Sequence, residues 1–363
     1  MYSIVHAIVH AIIHSTMYSV MHNTMHYILQ VDTTHEQALR WLRGRAGKAQ
    51  PFFLYVAFTV PHAGGWGHAP SNPEQGAPVP TEGEYAARTE WPEVERDHAA
   101  VVTYLDGKVG ELMSALEELK LEESTLVSFA SDNGAHLEGG HSQHFFNSTG
   151  GLSGHKRSLY EGGVRSPTMA RWPGTVPAGV SPYRWAFWDV LPTFAELAGL
   201  EPPSGLDGVS IVPTLKGRSQ PAHTLLYWTW PGVGQAERGA GGRLPAGWRA
   251  EQQAAGTLMY VAPSGRAQAH HPLLREGESA SDDGAAARSG YAVVSGDWKG
   301  IVPHCASDHR PSVADLRSMR VYHLPSDWAE TADLARTAQG KRHALRLLGL
   351  VLEARLSCRC YQC

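Results

Sequence analysis

The sequence has little of what marks nucleic-acid-binding, membrane-spanning or disulfide-rich proteins. Its formal net charge is −4 and its pI is near 6.6, so no basic excess points to a nucleic acid. Only four cysteines occur, and three of them, Cys358, Cys360 and Cys363, crowd the carboxyl end. Their spacing suits neither a disulfide framework nor a zinc site. We interpret this tail as a solvated end.

The first thirty residues differ from the rest of the chain. Histidines recur there at a four-residue period, with Tyr18 in the one gap: His6, His10, His14, His22 and His26. This period drifts around a helix, so the histidines cannot share a face, although adjacent pairs could bind a metal. We favour a translated nucleotide repeat outside the native fold. The segment makes a poor signal peptide and is too short and polar to span a bilayer, so no membrane partner is expected.

The remaining chain has the length and composition of a folded protein. It contains 363 residues in all, 42% of them hydrophobic, enough for a full core and for two domains or one domain with an appendage. We assign residues 31–220 to a partial catalytic domain and 221–363 to a smaller subdomain with a flexible insertion at about 232–290. The absence of a strong charge field favours a small-molecule partner.

Apolar runs at 51–58 and 125–130 predict two buried strands, and the helical spacing of apolar residues between them predicts a helix over 93–120. Such a unit forms a right-handed parallel crossover. His62 follows the first strand, and Asp132 with Asn133 follows the second. The sequence therefore predicts that these three side chains meet at the carboxyl edge of a sheet, where ligands bind in α/β folds.

Further elements follow the main domain. A helix is predicted over 187–198, with a late start or a kink because Pro192 interrupts it. The later part predicts a hairpin over 291–299 with a Gly-Asp turn, a strand over 320–324 and a helix over 333–356. The predicted fold class is α/β, with a mainly parallel central sheet sandwiched by helices and a smaller carboxyl-terminal antiparallel sheet with a helix.

Several short motifs stand out along the chain. They are Pro51 to His62, Ser131 to His136, Phe145 to Arg165, Arg171 to Gly174, Leu206 to Ser210 and Gly296 to Lys299. A single Asp-Asn-Gly carries little information, but this set in this order is specific. From about Val31 to Ala335 the chain resembles the type I sulfatases, especially the arylsulfatase branch of the alkaline phosphatase superfamily.

The resemblance implies roles for particular residues. The positions matching Asp132 and Asn133 coordinate calcium, which suits their hard oxygen atoms. The lysine matching Lys156 binds sulfate, and the histidine matching His62 contacts sulfate and the leaving oxygen. The implied partner is a small-molecule or glycan sulfate ester. Family members usually work in the secretory pathway, the lysosome or the periplasm, although no targeting segment is recognisable here.

Each residue also has a plainer interpretation. Asp132 could cap a turn, Lys156 could be an exposed loop lysine, and His62 could pack beneath a loop. Glu161 and Arg165 are expected to form a structural pair that holds their loop. A further group could suggest a transition metal, although ordinary loop polarity is the simpler account: His136, His141, His144 and His155.

The departures from the sulfatase pattern concern the nucleophile and the metal. Sulfatases form a formylglycine from a Cys/Ser-x-Pro/Ala-x-Arg motif, and no such motif occurs in this sequence. The aspartate pair that completes the calcium shell is also missing, since the only consecutive pair, Asp282-Asp283, lies in the insertion. We expect an amino-terminally truncated sulfatase chain that is close to inactive. The alternatives are a noncatalytic sulfated-ligand-binding remnant and a phosphoesterase or phosphonate hydrolase, against which Asn133 argues.

Overall fold

The computed structural model describes residues 24–63, 77, 79–231, 249–252, 258–261, 289–305 and 310–354. These residues divide into two compact units. The first unit contains the described residues up to Thr125 together with Leu137–Ser142, and the second contains Leu126–His136 and the described residues from Gln143 onward. Residues 1–23 of the histidine repeat and most of the predicted insertion lie outside the described residues.

Two helices dominate the first unit: α1 spans Thr24–Arg43 and α2 spans Glu93–Glu118. The helix predicted over 93–120 is thus confirmed. Helical spacing brings Val31, Ala38 and Leu42 to one buried face of α1, where Val31 joins a core that includes Val101 of α2. Burial of these apolar faces, rather than intrinsic propensity, holds the two helices together.

The strand predicted over 51–58 is wrong. Residues 51–59 belong to no described helix or strand, and Phe53 and Tyr55 are 45% and 65% exposed. A strand needs hydrogen-bonded neighbours, and within the described ranges no strand pairs with this segment. The predicted parallel strand–helix–strand unit is therefore not formed in the described part of the chain.

In the second unit, β1 (Val127–Ala130) pairs antiparallel with β2 (Thr168–Arg171). The predicted strand at 125–130 is thus confirmed in position, but its described partner runs antiparallel to it. Burial alternates along both strands, so only one face of each is covered. A single helical turn, α3 (Glu161–Val164), precedes β2. These elements frame the turns that follow β1.

The helix predicted over 187–198 begins late, as expected. A 3₁₀ turn at Phe187–Asp189 leads into α4 (Val190–Leu197), and Pro192 lies in the first turn of α4, where its missing N–H disrupts no helical bond. Gly199, at φ +68°, ends the helix. A further single turn, α5, spans Val212–Leu215.

A four-stranded antiparallel sheet with a covering helix completes the second unit. Its strands, in spatial order, are β3 (Leu226–Pro231), β6 (Ser289–Ser295), β7 (Trp298–Val302) and β8 (Arg320–His323). A separate short pair is formed by β4 (Arg249–Gln252) and β5 (Leu258–Val261). Helix α6 (Ala338–Glu353) buries Leu347 and Val351 against this sheet. The predicted hairpin, antiparallel sheet and closing helix are confirmed, and the α/β class with them.

Cys305 is a core residue of the second unit. It is 7% exposed, packs in the core beside β7 and is disulfide-bonded. The other cysteines lie within 355–363, outside the described residues. The expectation of a solvated end concerned only the three tail cysteines, and Cys305 lies outside that tail. None of the helices in the described ranges is long and apolar enough to cross a membrane.

Candidate active site

Asp132 and Asn133 lie in a tight turn directly after β1. The N–H of Ser131 donates to Pro167 O at 3.1 Å, and its Oγ donates to Asn133 O at 3.0 Å. The side-chain amide of Asn133 donates to Gly134 O at 3.1 Å. Asp132 is exposed and Asn133 is half-buried. The turn thus holds the asparagine by its nitrogen, while the aspartate carboxylate faces solvent.

Lys156 lies in a second turn that is bonded to the first through backbone atoms. The N–H of Lys156 donates to Ala135 O at 2.7 Å. The N–H of Gly134 donates to Gly163 O at 3.0 Å, which joins the Asp132 turn to α3. The structure therefore brings together three of the four predicted site residues, Asp132, Asn133 and Lys156, in adjoining turns.

Glycines make this close approach of backbones possible. A Cβ atom added to Gly134 would lie 1.8 Å from Gly162 O, and one added to Gly163 would lie 2.2 Å from Ser158 O. Gly154 has φ +76°, a left-handed conformation that favours glycine. At Gly134 and Gly163 no larger residue fits without displacing backbone. These glycines thus allow the two turns to pack against α3.

Beneath the Lys156 turn, a lysine that the sequence-based reasoning did not assign forms a buried ion triad. Lys299 Nζ lies 2.8 Å from Glu161 Oε1 and 2.8 Å from Glu330 Oε1. The partner of Glu161 is therefore Lys299, whereas Arg165, the expected partner, is exposed. One sequence feature could have indicated this triad: a lysine lies within the apolar strand β7, where every residue is buried, and a buried lysine needs a charged partner.

His62 belongs to the first unit, and its ring contacts two oxygen atoms there. Nδ1 lies 2.7 Å from Ala63 O, and Nε2 lies 3.2 Å from Glu138 Oε2. Both ring nitrogens thus lie close to an oxygen atom. The side chain is 56% exposed. Glu138 was not predicted as a site residue, because nothing in the sequence connects it with His62.

The loop histidines are held by ordinary polar contacts. In the first unit, buried His141 pairs through Nδ1 with Glu95 Oε2 at 2.6 Å and stacks on His98 at 3.6 Å between ring centroids. Glu95 also accepts the N–H of Ser142 at 2.8 Å. In the second unit, burial lowers the pKa of His155, which contacts Lys156 O through Nδ1. These contacts agree with loop polarity rather than a transition-metal site.

The residues present do not complete a calcium site. Asp132 and Asn133 offer a carboxylate and an amide oxygen, which are hard ligands of the kind calcium prefers. Calcium takes about six to eight oxygens. Across the described ranges, no group of three or more His, Cys, Asp or Glu side chains could hold a metal ion.

The described residues form an α/β fold in which backbone hydrogen bonds join the Asp132 turn and the Lys156 turn. A protein-family model described as Sulfatase matches residues 14–200, more than half of the chain. The chain therefore belongs to the sulfatase family.

Individual sulfatases are similar to parts of this chain. N-acetylgalactosamine-6-sulfatase of Canis lupus familiaris is 33% identical over 201 residues, which cover 53% of this chain and 34% of that one. Arylsulfatase A of Bos taurus is 41% identical over 131 residues. This match covers 34% of this chain and 24% of the length of arylsulfatase A. The chain thus spans about a third or less of the length of these curated relatives.

Solved structures confirm the fold. The crystal structure of Ps i-CgsB superposes with a TM-score of 0.59 at 20% identity. The superposition covers 90% of this chain and 54% of the Ps i-CgsB chain. The PsFucS1 sulfatase from Pseudoalteromonas sp. gives a TM-score of 0.52 at 19% identity, covering 90% and 52%. At such identities the likeness establishes the fold alone.

Proposed function

We propose that this chain is the sulfate-recognising part of a sulfuric ester hydrolase and that, by itself, it binds sulfate without turning an ester over. The supporting observation is the backbone bond from Lys156 to Ala135, which fixes a lysine beside the Asp132–Asn133 turn. In this proposal Lys156 neutralises charge on the sulfuryl oxygens. The positive charge of the lysine attracts an anion. Because the turn is held in place before the ligand arrives, little of the binding free energy is lost in ordering it.

His62 is proposed to contact the sulfate group and the leaving oxygen. Its ring already faces two oxygen acceptors, Ala63 O and the Glu138 carboxylate. A ring N–H of His62 can donate a hydrogen bond to an oxygen of a bound sulfate ester. Glu138 would then orient the ring.

The absence of turnover follows from the sequence. Sulfate-ester hydrolysis in this family uses a formylglycine nucleophile, and these 363 residues contain no Cys/Ser-x-Pro/Ala-x-Arg motif. Without a nucleophile no covalent intermediate forms, so catalysis stops at binding. The chain then acts as a binder of sulfated ligands, which is the noncatalytic function that the sequence also allows.

Sulfatases as a family use a metal ion, and calcium is the ion that the oxygen donors here suit best. We propose that Asp132 and Asn133 would contribute to its shell. Because they supply too few of the oxygens, calcium is expected to bind weakly to this chain.

The proposed ligand is the sulfate group of a small molecule or glycan. The relatives are named for sulfated substrates, N-acetylgalactosamine 6-sulfate esters and aryl sulfates among them. No described residue distinguishes a sulfated sugar from an aryl sulfate, so the proposal stops at the sulfate ester class.

Ligand-induced thermal stabilisation tests the proposal together with a turnover assay. Sodium sulfate should raise the melting temperature of the wild type and of Lys341→Met, an exposed lysine on α6, but not of Lys156→Met. The wild type should leave 4-nitrophenyl sulfate intact. Hydrolysis of this ester, or of 4-nitrophenyl phosphate, would overturn the binding-only proposal, as would equal stabilisation of the Lys156 variant.

A further inference from the structure

The buried ion triad ties three distant segments together. Lys299 is fully buried in β7, and both carboxylates lie 2.8 Å from its Nζ. Glu330 Oε2 also accepts the N–H of Glu161 at 2.5 Å. A buried ammonium is strongly destabilising unless it is paired, and here two carboxylates pair with it. The triad therefore fixes the start of α3 relative to the sheet.

The start of α3 is bonded in turn to the candidate site. The N–H of Gly162, next to Glu161, donates to Ser153 O at 2.7 Å. Ser153 opens the turn that carries Lys156, and Gly163 O accepts the N–H of Gly134 beside the Asp132 turn. A short series of backbone bonds thus leads from Lys299 to both turns of the site.

We propose that Lys299, anchored by Glu161 and Glu330, is a positioning residue that holds the Lys156 turn against the Asp132–Asn133 turn, and that the protonation of Glu330 makes this hold depend on pH. The role of Lys156 as a sulfate ligand rests on the proposed function. The positioning of its turn does not.

The charge count of the triad supports the pH dependence. With both carboxylates ionised, the triad carries one excess negative charge in a buried place; with Glu330 protonated it is neutral. Burial raises the pKa of Glu330 to about 7; attraction to Lys299 opposes this rise, and repulsion from Glu161 adds to it. The charge of the triad therefore changes close to neutral pH.

The neighbouring acids of the same loop are engaged elsewhere. Asp327 accepts the N–H groups of Thr331 and Ala332, and Asp333 accepts those of Val321 and Ala335. Glu330 itself has φ +54°, a left-handed backbone conformation that residues other than glycine rarely adopt. The loop holds that conformation while the glutamate contacts Lys299.

Hydrogen exchange of the full chain without sulfate tests the proposal directly. Protection factors, which correct for the intrinsic pH dependence of exchange, are measured for peptides covering 131–136 and 153–163 at about pH 5.5 and about pH 8. In the wild type, protection should be about tenfold greater at the lower pH. Glu330→Gln should abolish this difference because the amide does not titrate, whereas exposed Glu353→Gln should retain it.

A second variant separates positioning from titration. Lys299→Met should lower protection of both peptides at both pH values, while Lys341→Met should not. If Lys299→Met does not fold, the Glu330→Gln comparison decides alone. An unchanged pH dependence in Glu330→Gln, or wild-type protection in a folded Lys299→Met variant, would overturn the proposal.

The outcome also separates this inference from the proposed function. If the protection factors change as expected but the protein binds no sodium sulfate, the proposed function is wrong and the positioning role of Lys299 stands. If the protein binds sulfate but Glu330→Gln keeps the pH dependence of the wild type, the positioning role is wrong and the proposed function stands.

Discussion

The N–H of Lys156 donates to the carbonyl of Ala135 at 2.7 Å, which places the candidate sulfate ligand beside the turn of Asp132 and Asn133. Backbone atoms, rather than flexible side chains, make this bond. Its geometry depends on the glycines around it and on the triad beneath them, so substitutions there should act on the site from a distance.

Gly134→Ala should strongly destabilise the protein, by more than about 2 kcal/mol, and abolish the stabilising effect of sulfate. The added Cβ would lie 1.8 Å from Gly162 O, so backbone must move. The matched control is Gly349→Ala on α6, where a Cβ meets nothing within 4 Å. It should be neutral or stabilising by up to about 1 kcal/mol. Urea denaturation measures both, and equal effects would contradict the packing account.

Glu95→Ala should destabilise the first unit by about 2 to 4 kcal/mol. It leaves the ring of His141 and the N–H of Ser142 buried without their carboxylate acceptor. Glu117→Ala, on the exposed face of the same helix, should change the free energy of unfolding by less than about 0.5 kcal/mol. Thermal denaturation followed by circular dichroism distinguishes the two, and a near-neutral Glu95 variant would refute a structural role for the pair.

The free energy of unfolding should fall as the pH rises from about 4.5 to about 7. The folded-state pKa of Glu330 is raised from its ordinary 4.5 to about 7, mainly by burial. The folded protein therefore holds a proton that the unfolded chain has lost across this interval, so stability is greatest below it and declines through it. The loss should be roughly 3 kcal/mol, since one pKa unit corresponds to about 1.4 kcal/mol. Chemical denaturation should show a flatter profile for Glu330→Gln, and an identical slope in both proteins would exclude Glu330 as the source.

Much of this fold can be predicted from local patterns. The apolar spacing over α2, the Gly296-Asp297 turn of the β6–β7 hairpin and the polar turn after β1 all depend on neighbouring residues. The pairing of Lys299 with Glu161 cannot be predicted in this way, because the two are 138 positions apart and no period connects them. The contact of Glu138 with His62 was missed for the same reason.

The segment 51–58 shows the limit of reasoning from hydrophobicity. Its apolar run is typical of a buried strand, yet a strand forms only where neighbouring strands hydrogen-bond to it, and no described strand pairs with this segment. Phe53 and Tyr55 are consequently exposed. A local apolar pattern shows that a segment favours a strand conformation. Whether that segment pairs with another strand depends on the whole sheet.

Calcium should bind this chain weakly, with a dissociation constant above about 1 mM, because two side chains cannot replace its hydration shell. Competition with a fluorescent calcium chelator measures the affinity. Asp132→Asn should leave the melting temperature unchanged in millimolar calcium. Micromolar binding that Asp132→Asn removes would show that the chain supplies a fuller shell than the described residues indicate.

The most direct test of the central claim is a calorimetric titration of sodium sulfate into the wild type, Lys156→Met and Lys341→Met. If the Lys156 turn is a preformed sulfate site, the wild type and the Lys341 variant should bind with the same affinity. Lys156→Met should bind at least about tenfold more weakly, since a charged hydrogen bond is lost. Equal affinities for the wild type and Lys156→Met, or no binding to the wild type, would contradict the account.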